Sequence, residues 1–159
     1  MSKVYLDTSF VSACVTERDD PSSVYRRVTS LAWWSSQRRF HEILVSAEVV
    51  DELSAPGYRQ RVEALNWIRQ IPIAEIDERV RSLAATFVAE KVMPAPVAGD
   101  AIHVAVACIH RIEYLLSWNV RHLANPNKLA HLSSICARTG IWPPRIVTPD
   151  LLWERNDEA

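Results

Sequence analysis

Short apolar runs alternate along this chain with longer stretches in which apolar residues recur every three or four positions. A short continuous run reads as a buried strand, and the longer period reads as a helix packed on one side. Residues 3–6, 40–45, 113–117 and 145–147 are therefore predicted strands, and residues 71–74 a short edge strand, where Pro72 is tolerated. Helices are predicted over residues 10–15, behind Asp20-Pro21, over 47–53 with Ser46 as cap, over 58–70, behind Asp77, and over 98–110 and 127–138. Pro56-Gly57 stops the third of these, and Pro149-Asp150 starts a last helical turn. Behind Asp20, the residues Val24, Val28, Leu31, Ala32 and Trp34 fall at helical spacing and form the expected apolar face. Arg26, Arg27, Arg38 and Arg39 decorate the opposite face and the end of that helix. Over 58–70 the expected buried residues are Val62, Leu65, Trp67 and Ile68; behind Asp77 they are Val80, Leu83, Ala84, Phe87 and Val88. Segment 98–110 is apolar on most sides, as a helix buried against a sheet must be.

Strand then helix, repeated, predicts an α/β fold with a central parallel sheet covered by helices. The 159 residues suit one domain, expected over 1–153, with a charged, frayed tail at 154–159. Apolar residues make up 48% and charged residues 23%, an ordinary balance for a soluble domain. A net charge of −1 gives no general attraction to nucleic acid or to an anionic membrane, so an RNA ligand would need metal ions or a local arginine cluster. Cys14, Cys108 and Cys136 are far apart, with no CxxC pair or zinc spacing, and read as free thiols in a reducing compartment. No secretory leader and no apolar stretch long enough to span a bilayer is present, so a cytoplasmic protein is expected.

Candidate chemistry lies where apolar segments meet acids. Asp7 follows the first strand, Glu48, Asp51 and Glu52 crowd one short helix, Asp100 opens the most apolar helix, and Asn119 follows a buried strand. Single acids spread in this way can converge at the carboxyl edge of a parallel sheet and offer oxygen ligands to a divalent cation. Each alone has an ordinary reading: a turn former at Asp7, an N-cap at Asp100, a turn residue at Asn119. Glu48 and Glu52, at i and i+4, repel one another unless something positive compensates, either Arg59 and Arg61 or a bound cation.

The blocks Tyr5-Leu6-Asp7-Thr8-Ser9, Trp33-Trp34, Val45-Ser46 leading to Glu52-Leu53, Asp100-Ala101-Ile102-His103-Val104-Ala105-Val106-Ala107 and Tyr114-Leu115-Leu116-Ser117-Trp118-Asn119-Val120-Arg121-His122-Leu123-Ala124-Asn125 together resemble the PIN domain family. Within it, they resemble the VapC-type toxins of type II toxin–antitoxin pairs. The resemblance implies a PIN-like α/β/α sandwich and metal-dependent hydrolysis of RNA phosphodiester bonds. It also implies Mg2+ or Mn2+ as cofactor, a cognate antitoxin and a homodimer. Asp7, Glu52 and Asp100 correspond to the first three family acids, and all three are expected at the metal, Asp7 and Asp100 directly. Asn119 stands where many members carry a fourth acid, which removes one negative charge. Thr8 or Ser9 is expected to bond a carboxylate or the phosphate. Arg121 and His122 would touch the RNA backbone.

Other residues read more plainly. Trp33 and Trp34 cannot share a helix face, so one is expected in the core and the other at a dimer or antitoxin interface. Trp118 reads as core, and His103 and His110 as packing or hydrogen-bonding residues rather than zinc ligands. The competing reading is a catalytically weak or inactive PIN-like module that binds RNA or antitoxin. A phosphotransferase of the haloacid-dehalogenase type would want a second Asp two residues after Asp7, where Ser9 stands.

Overall fold

The structure, a computed structural model, describes residues 1–154. Residues 155–159, most of the expected charged tail, lie outside the described residues.

The chain starts as strand β1 (Ser2–Leu6), turns at Asp7 into helix α1 (Thr8–Val15), and continues as α2 (Pro21–Gln37). A 3-10 turn leads to β2 (His41–Ser46), followed by α3 (Ala47–Leu53), α4 (Arg61–Ile68) and β3 (Ile73–Ala74). The second half runs α5 (Glu78–Ala89), α6 (Asp100–Ile109), β4 (Tyr114–Leu116), α7 (Pro126–Thr139) and β5 (Arg145–Val147). All pairings are parallel, in one sheet of order β3-β2-β1-β4-β5. Val4 pairs with Ile43 on one side and Tyr114 on the other. The chain therefore builds outward from β1 in one direction and later returns to build in the other. The carboxyl ends of β1 and β4 flank the point of reversal, the place where open α/β sheets leave a crevice.

Local signals explain most element ends. Asp20 accepts from Ser23 N at 3.1 Å and Asp77 from Val80 N at 3.0 Å, each capping the helix it precedes. Gly140, at φ +71°, closes α7 in the left-handed geometry that glycine tolerates. Gly99, at φ +56°, makes the sharp entry into α6. The core gathers β1, β4 and nearly all of α6 with the inward faces of α1 and α5; Val80, Leu83, Ala84 and Phe87 are buried as their spacing predicts. Cys14, Cys108 and Cys136 are buried free thiols, and burial pushes Cys14 up to about 12.

Two expectations are corrected. On α2 the buried residues are Ser30, Trp33 and Gln37, while Val28 is 60% and Leu31 39% exposed. The helix is turned by long-range partners: Ser30 Oγ accepts from Trp118 Nε1 at 2.8 Å, Trp33 Nε1 donates to Leu152 O at 2.7 Å, and Gln37 Oε1 accepts from Glu154 N at 2.7 Å. Trp33 is the core tryptophan, and Trp34 lies against Trp67 with ring centroids 4.4 Å apart. On α4 the buried residues are Ala64 and Ile68, and Val62 is 67% exposed. No helix among the described residues is long and apolar enough to cross a membrane.

Candidate active site

Asp7 leaves β1 at the reversal point, tied to the adjacent strand by its own N–H on Leu116 O at 3.2 Å. Its extended backbone makes it the N-cap of α1, and its carboxylate, 3% exposed, accepts from Phe10 N at 3.2 Å. Two hydroxyls complete its shell: Ser9 Oγ donates at 2.6 Å and Ser117 Oγ at 2.7 Å. Burial pushes the Asp7 carboxyl up, against the pull of His103 and of these donors.

Asp100 opens α6 on the neighbouring wall and is partly buried. Burial raises its carboxyl as well; His103 and His122 pull it down and Glu52 pushes it further up. Its Oδ2 accepts from Asn119 Nδ2 at 3.1 Å, and Asn119 Oδ1 accepts from His122 N at 3.0 Å. A backbone N–H can only donate, so the carboxamide oxygen must face His122 and the NH2 must face Asp100. The amide thus braces Asp100 and the turn after β4.

Glu52, at the end of α3, is reached from two other elements. Thr8 Oγ1 donates to Oε1 at 2.9 Å, and His103 Nε2 makes a very close contact with the same oxygen. His103 is buried on α6, and its Nδ1 lies 2.6 Å from Tyr5 Oη, which in turn lies 2.7 Å from Ser46 Oγ. Burial disfavours the imidazolium, but the bond to Glu52 and the charges of Asp7, Glu52 and Asp100 outweigh it and raise His103. Burial would raise Glu52, yet the His103 and Thr8 contacts hold it below the usual carboxylate range. Among the described residues, the positive partner of Glu52 is His103 rather than Arg59 or Arg61. Glu48 turns away to accept from Gly99 N at 2.8 Å. Ser46, expected to cap α3, makes no side-chain cap bond and serves Tyr5.

The fold thus brings Asp7, Glu52, Asp100 and Asn119 to one edge, Asp51 lying exposed on α3 apart from it. Sequence reasoning placed His103 among packing or hydrogen-bonding residues, and it does bond. It missed that the partner is Glu52, although the i, i+3 spacing from Asp100 puts both on one helix face. It also passed over Tyr5 and Ser117, which support the acids from the strands. Trp118 is 6% exposed and packs as expected. His110 lies 2.7 Å from Glu75 O, outside the site.

A parallel doubly wound sheet with acids gathered where its order reverses defines a class of single-domain α/β proteins built around an acidic edge. The chain belongs to the PIN domain family, whose family model matches residues 4–124. Among solved structures, it is similar to VapC20 of Mycobacterium tuberculosis, described as a toxin cleaving the sarcin-ricin loop. The TM-score is 0.58 at 18% identity, over 81% of this chain and 95% of that one. It is also similar to FitAcB from Neisseria gonorrhoeae, with a TM-score of 0.55 at 16% identity over 94% and 99%. At these identities the likeness is one of fold. No curated protein sequence matches the chain.

Proposed function

We propose that the protein is a divalent-metal-dependent endoribonuclease and the toxin of a type II toxin–antitoxin pair, acting as a homodimer restrained by a cognate antitoxin. The observation that carries the nuclease reading is the state of Asp7 and Asp100. Asp7 is buried and Asp100 partly buried, they come from separate elements, burial raises both, and neither forms an ion pair among the described residues. Neutral donors hold Asp7 in place without cancelling its charge, which is what a cation-binding carboxylate needs.

The donor set fits Mg2+ or Mn2+. It is made of hard carboxylate oxygens, the kind these ions prefer. Mg2+ takes one or two carboxylates and keeps several waters. Asp7 and Asp100 would hold the ion directly, and Glu52 would hold it through water. When bound, such an ion neutralises the scissile phosphate and lowers the pKa of a water. Ser9 and Ser117 fix the Asp7 carboxylate, and Asn119 fixes Asp100. Glu52, kept ionised by His103 and Thr8, accepts a hydrogen bond from the attacking water and aims it.

The toxin role, and with it a restraining antitoxin, draws support from the fold likeness to VapC20, which is described as a toxin. The test is cleavage of single-stranded and structured RNA with Mg2+, Mn2+ or EDTA, by wild type and by Asp7→Asn with folding checked by circular dichroism. Metal-dependent cleavage that falls at least about a hundredfold in the variant is expected from loss of a metal ligand. Full activity in folded Asp7→Asn would remove Asp7 from the metal site. Growth arrest on expression of wild type alone, absent with Asp7→Asn, is the expected sign of a toxin.

A further inference from the structure

A groove of about 620 Å³ opens beside the acidic edge, and its near wall is Ser9, the residue whose hydroxyl bonds Asp7 at 2.6 Å. Ser12 on α1, Arg18 in the α1–α2 connection, Arg26 on α2, and Tyr58 and Arg59 before α4 continue its lining. Three of the lining residues are arginines and one is an acid, Glu17, in a chain whose net charge is −1. Positive charge is therefore concentrated here against the average of the molecule.

The arginines differ in how far they are committed. Arg18 is paired with Asp20 at 3.3 Å. Arg27, one residue from the groove, donates to Thr16 O at 3.0 Å and Arg18 O at 3.4 Å, holding the connection in shape. Arg26 and Arg59 enter no ion pair among the described residues. Arg26 is held over the Trp118 ring, 5.5 Å from its centroid, an attraction that leaves the guanidinium edge free to bond. Trp118 is itself pinned, with Nε1 on Ser30 Oγ at 2.8 Å and its backbone N on Ser9 Oγ at 2.9 Å. One hydroxyl, that of Ser9, thus orients Asp7 and fixes the residue beneath Arg26.

We propose that this groove is the subsite for the RNA strand flanking the scissile phosphate, with Arg26 and Arg59 contacting backbone phosphates. The proposal rests on the nuclease reading of the acidic edge. A guanidinium offers a planar fork that matches phosphate oxygens. The hydroxyls of Ser9, Ser12 and Ser23 add hydrogen-bonding groups suited to a sugar–phosphate chain. The remaining arginines singled out in the sequence lie elsewhere: Arg38 sits 4.9 Å over the Trp34 ring and Arg39 4.8 Å over the Phe40 ring, at the far end of α2.

The test measures binding of a short fluorescein-labelled single-stranded RNA to full-length Asp7→Asn protein across a salt series. Arg26→Gln, Arg59→Gln and Arg38→Gln are added in turn. Each groove substitution is expected to weaken binding several-fold and flatten the log affinity against log salt slope by about 0.7, the value for one lost contact to single-stranded nucleic acid. Arg38→Gln is expected to change neither. Arg59 is exposed, so its variant remains informative if Arg26→Gln loosens Trp118. Unchanged affinity and slope in folded Arg59→Gln and Arg26→Gln, or no RNA binding at low salt, would overturn the subsite. Competition by polyglutamate as strong as by RNA would reassign the groove to an acidic protein segment. Wild-type cleavage separates the two readings. RNA bound through the arginines but never cut defeats the nuclease reading and reduces the groove to an RNA-binding surface with no scissile phosphate to flank. RNA cut with KM unchanged in both arginine variants defeats the subsite alone.

Discussion

Asn119 spends both ends of its carboxamide, one on Asp100 and one on His122 N. Asn119→Asp keeps the acceptor for His122 but replaces the donor facing Asp100 by a second negative charge, and like charges at such range destabilise each other. The variant is expected to melt lower than wild type in EDTA and to gain more from Mg2+. An equal Mg2+ gain in thermal melts of the two proteins would show that no cation sits between positions 100 and 119. His41 offers the opposite case. Its ring stacks on Trp33, centroids 5.8 Å apart and 8° from parallel, with both nitrogens buried and unbonded among the described residues. Burial lowers its pKa, against weaker upward pulls from Glu154 and Glu113. The folded state thus binds the proton less well than the unfolded chain. The stability His41 permits is full above about pH 6.5 and is lost as pH falls below it. His41→Phe keeps the stack and removes the unpaired nitrogens, with an expected gain of about 1–3 kcal/mol. Denaturant melts should show that gain to be larger near pH 5 than near pH 8, on either side of the ordinary histidine value; a loss at both would mean that the nitrogens find partners.

Helix ends behave as local devices. Asp77 caps α5 through Val80 N, well away from the acidic edge. Asp77→Ala is expected to lower unfolding free energy by about 0.5–2 kcal/mol in urea, without changing any RNA-cleaving activity. Such features were legible in the sequence because cap and partner lie three residues apart. The strands were legible as apolar runs, and so was the placement of Asp7 and Asp100, since a strand end and a helix start locate themselves. The face of α2 was not. Its buried Ser30 and Gln37 are polar, and their partners, Trp118 Nε1 and Glu154 N, lie 88 and 117 residues away. The same distance in sequence concealed the tie between His103 and Glu52, 51 residues apart. Periodicity reports which residues avoid water and is silent on polar pairs closed by the fold.

At the scale of the whole molecule, one buried carboxylate, Asp7, and one partly buried, Asp100, oppose the fold that holds them. Their folded-state values are raised, so between the ordinary Asp value near 3.9 and the folded value the folded state holds more protons. Their contribution is fully favourable below about pH 3.9 and is lost as pH rises through the folded value. In EDTA near neutral pH, Asp7→Asn should therefore melt above wild type. Saturating Mg2+ should reverse the order, since a ligand at a hundred times its Kd stabilises by about 2.7 kcal/mol. Asp7→Asn melting below wild type in EDTA would mean that the hydroxyl shell fully offsets the buried charge.

The bond from Ser117 to Asp7 spans 110 residues, and that from His103 to Tyr5 spans 98. The first cannot form until β4 has docked beside β1, and the second cannot form until α6 has packed on β1. Synthesis runs from the amino end, and Asp7 emerges among the first residues while its serine emerges near the close of the matched domain. A nascent chain therefore carries an incomplete acidic edge for most of its time on the ribosome. In an enzyme that cuts RNA, this ordering keeps the growing polypeptide inert beside the transcript that encodes it and beside the ribosomal RNA around it.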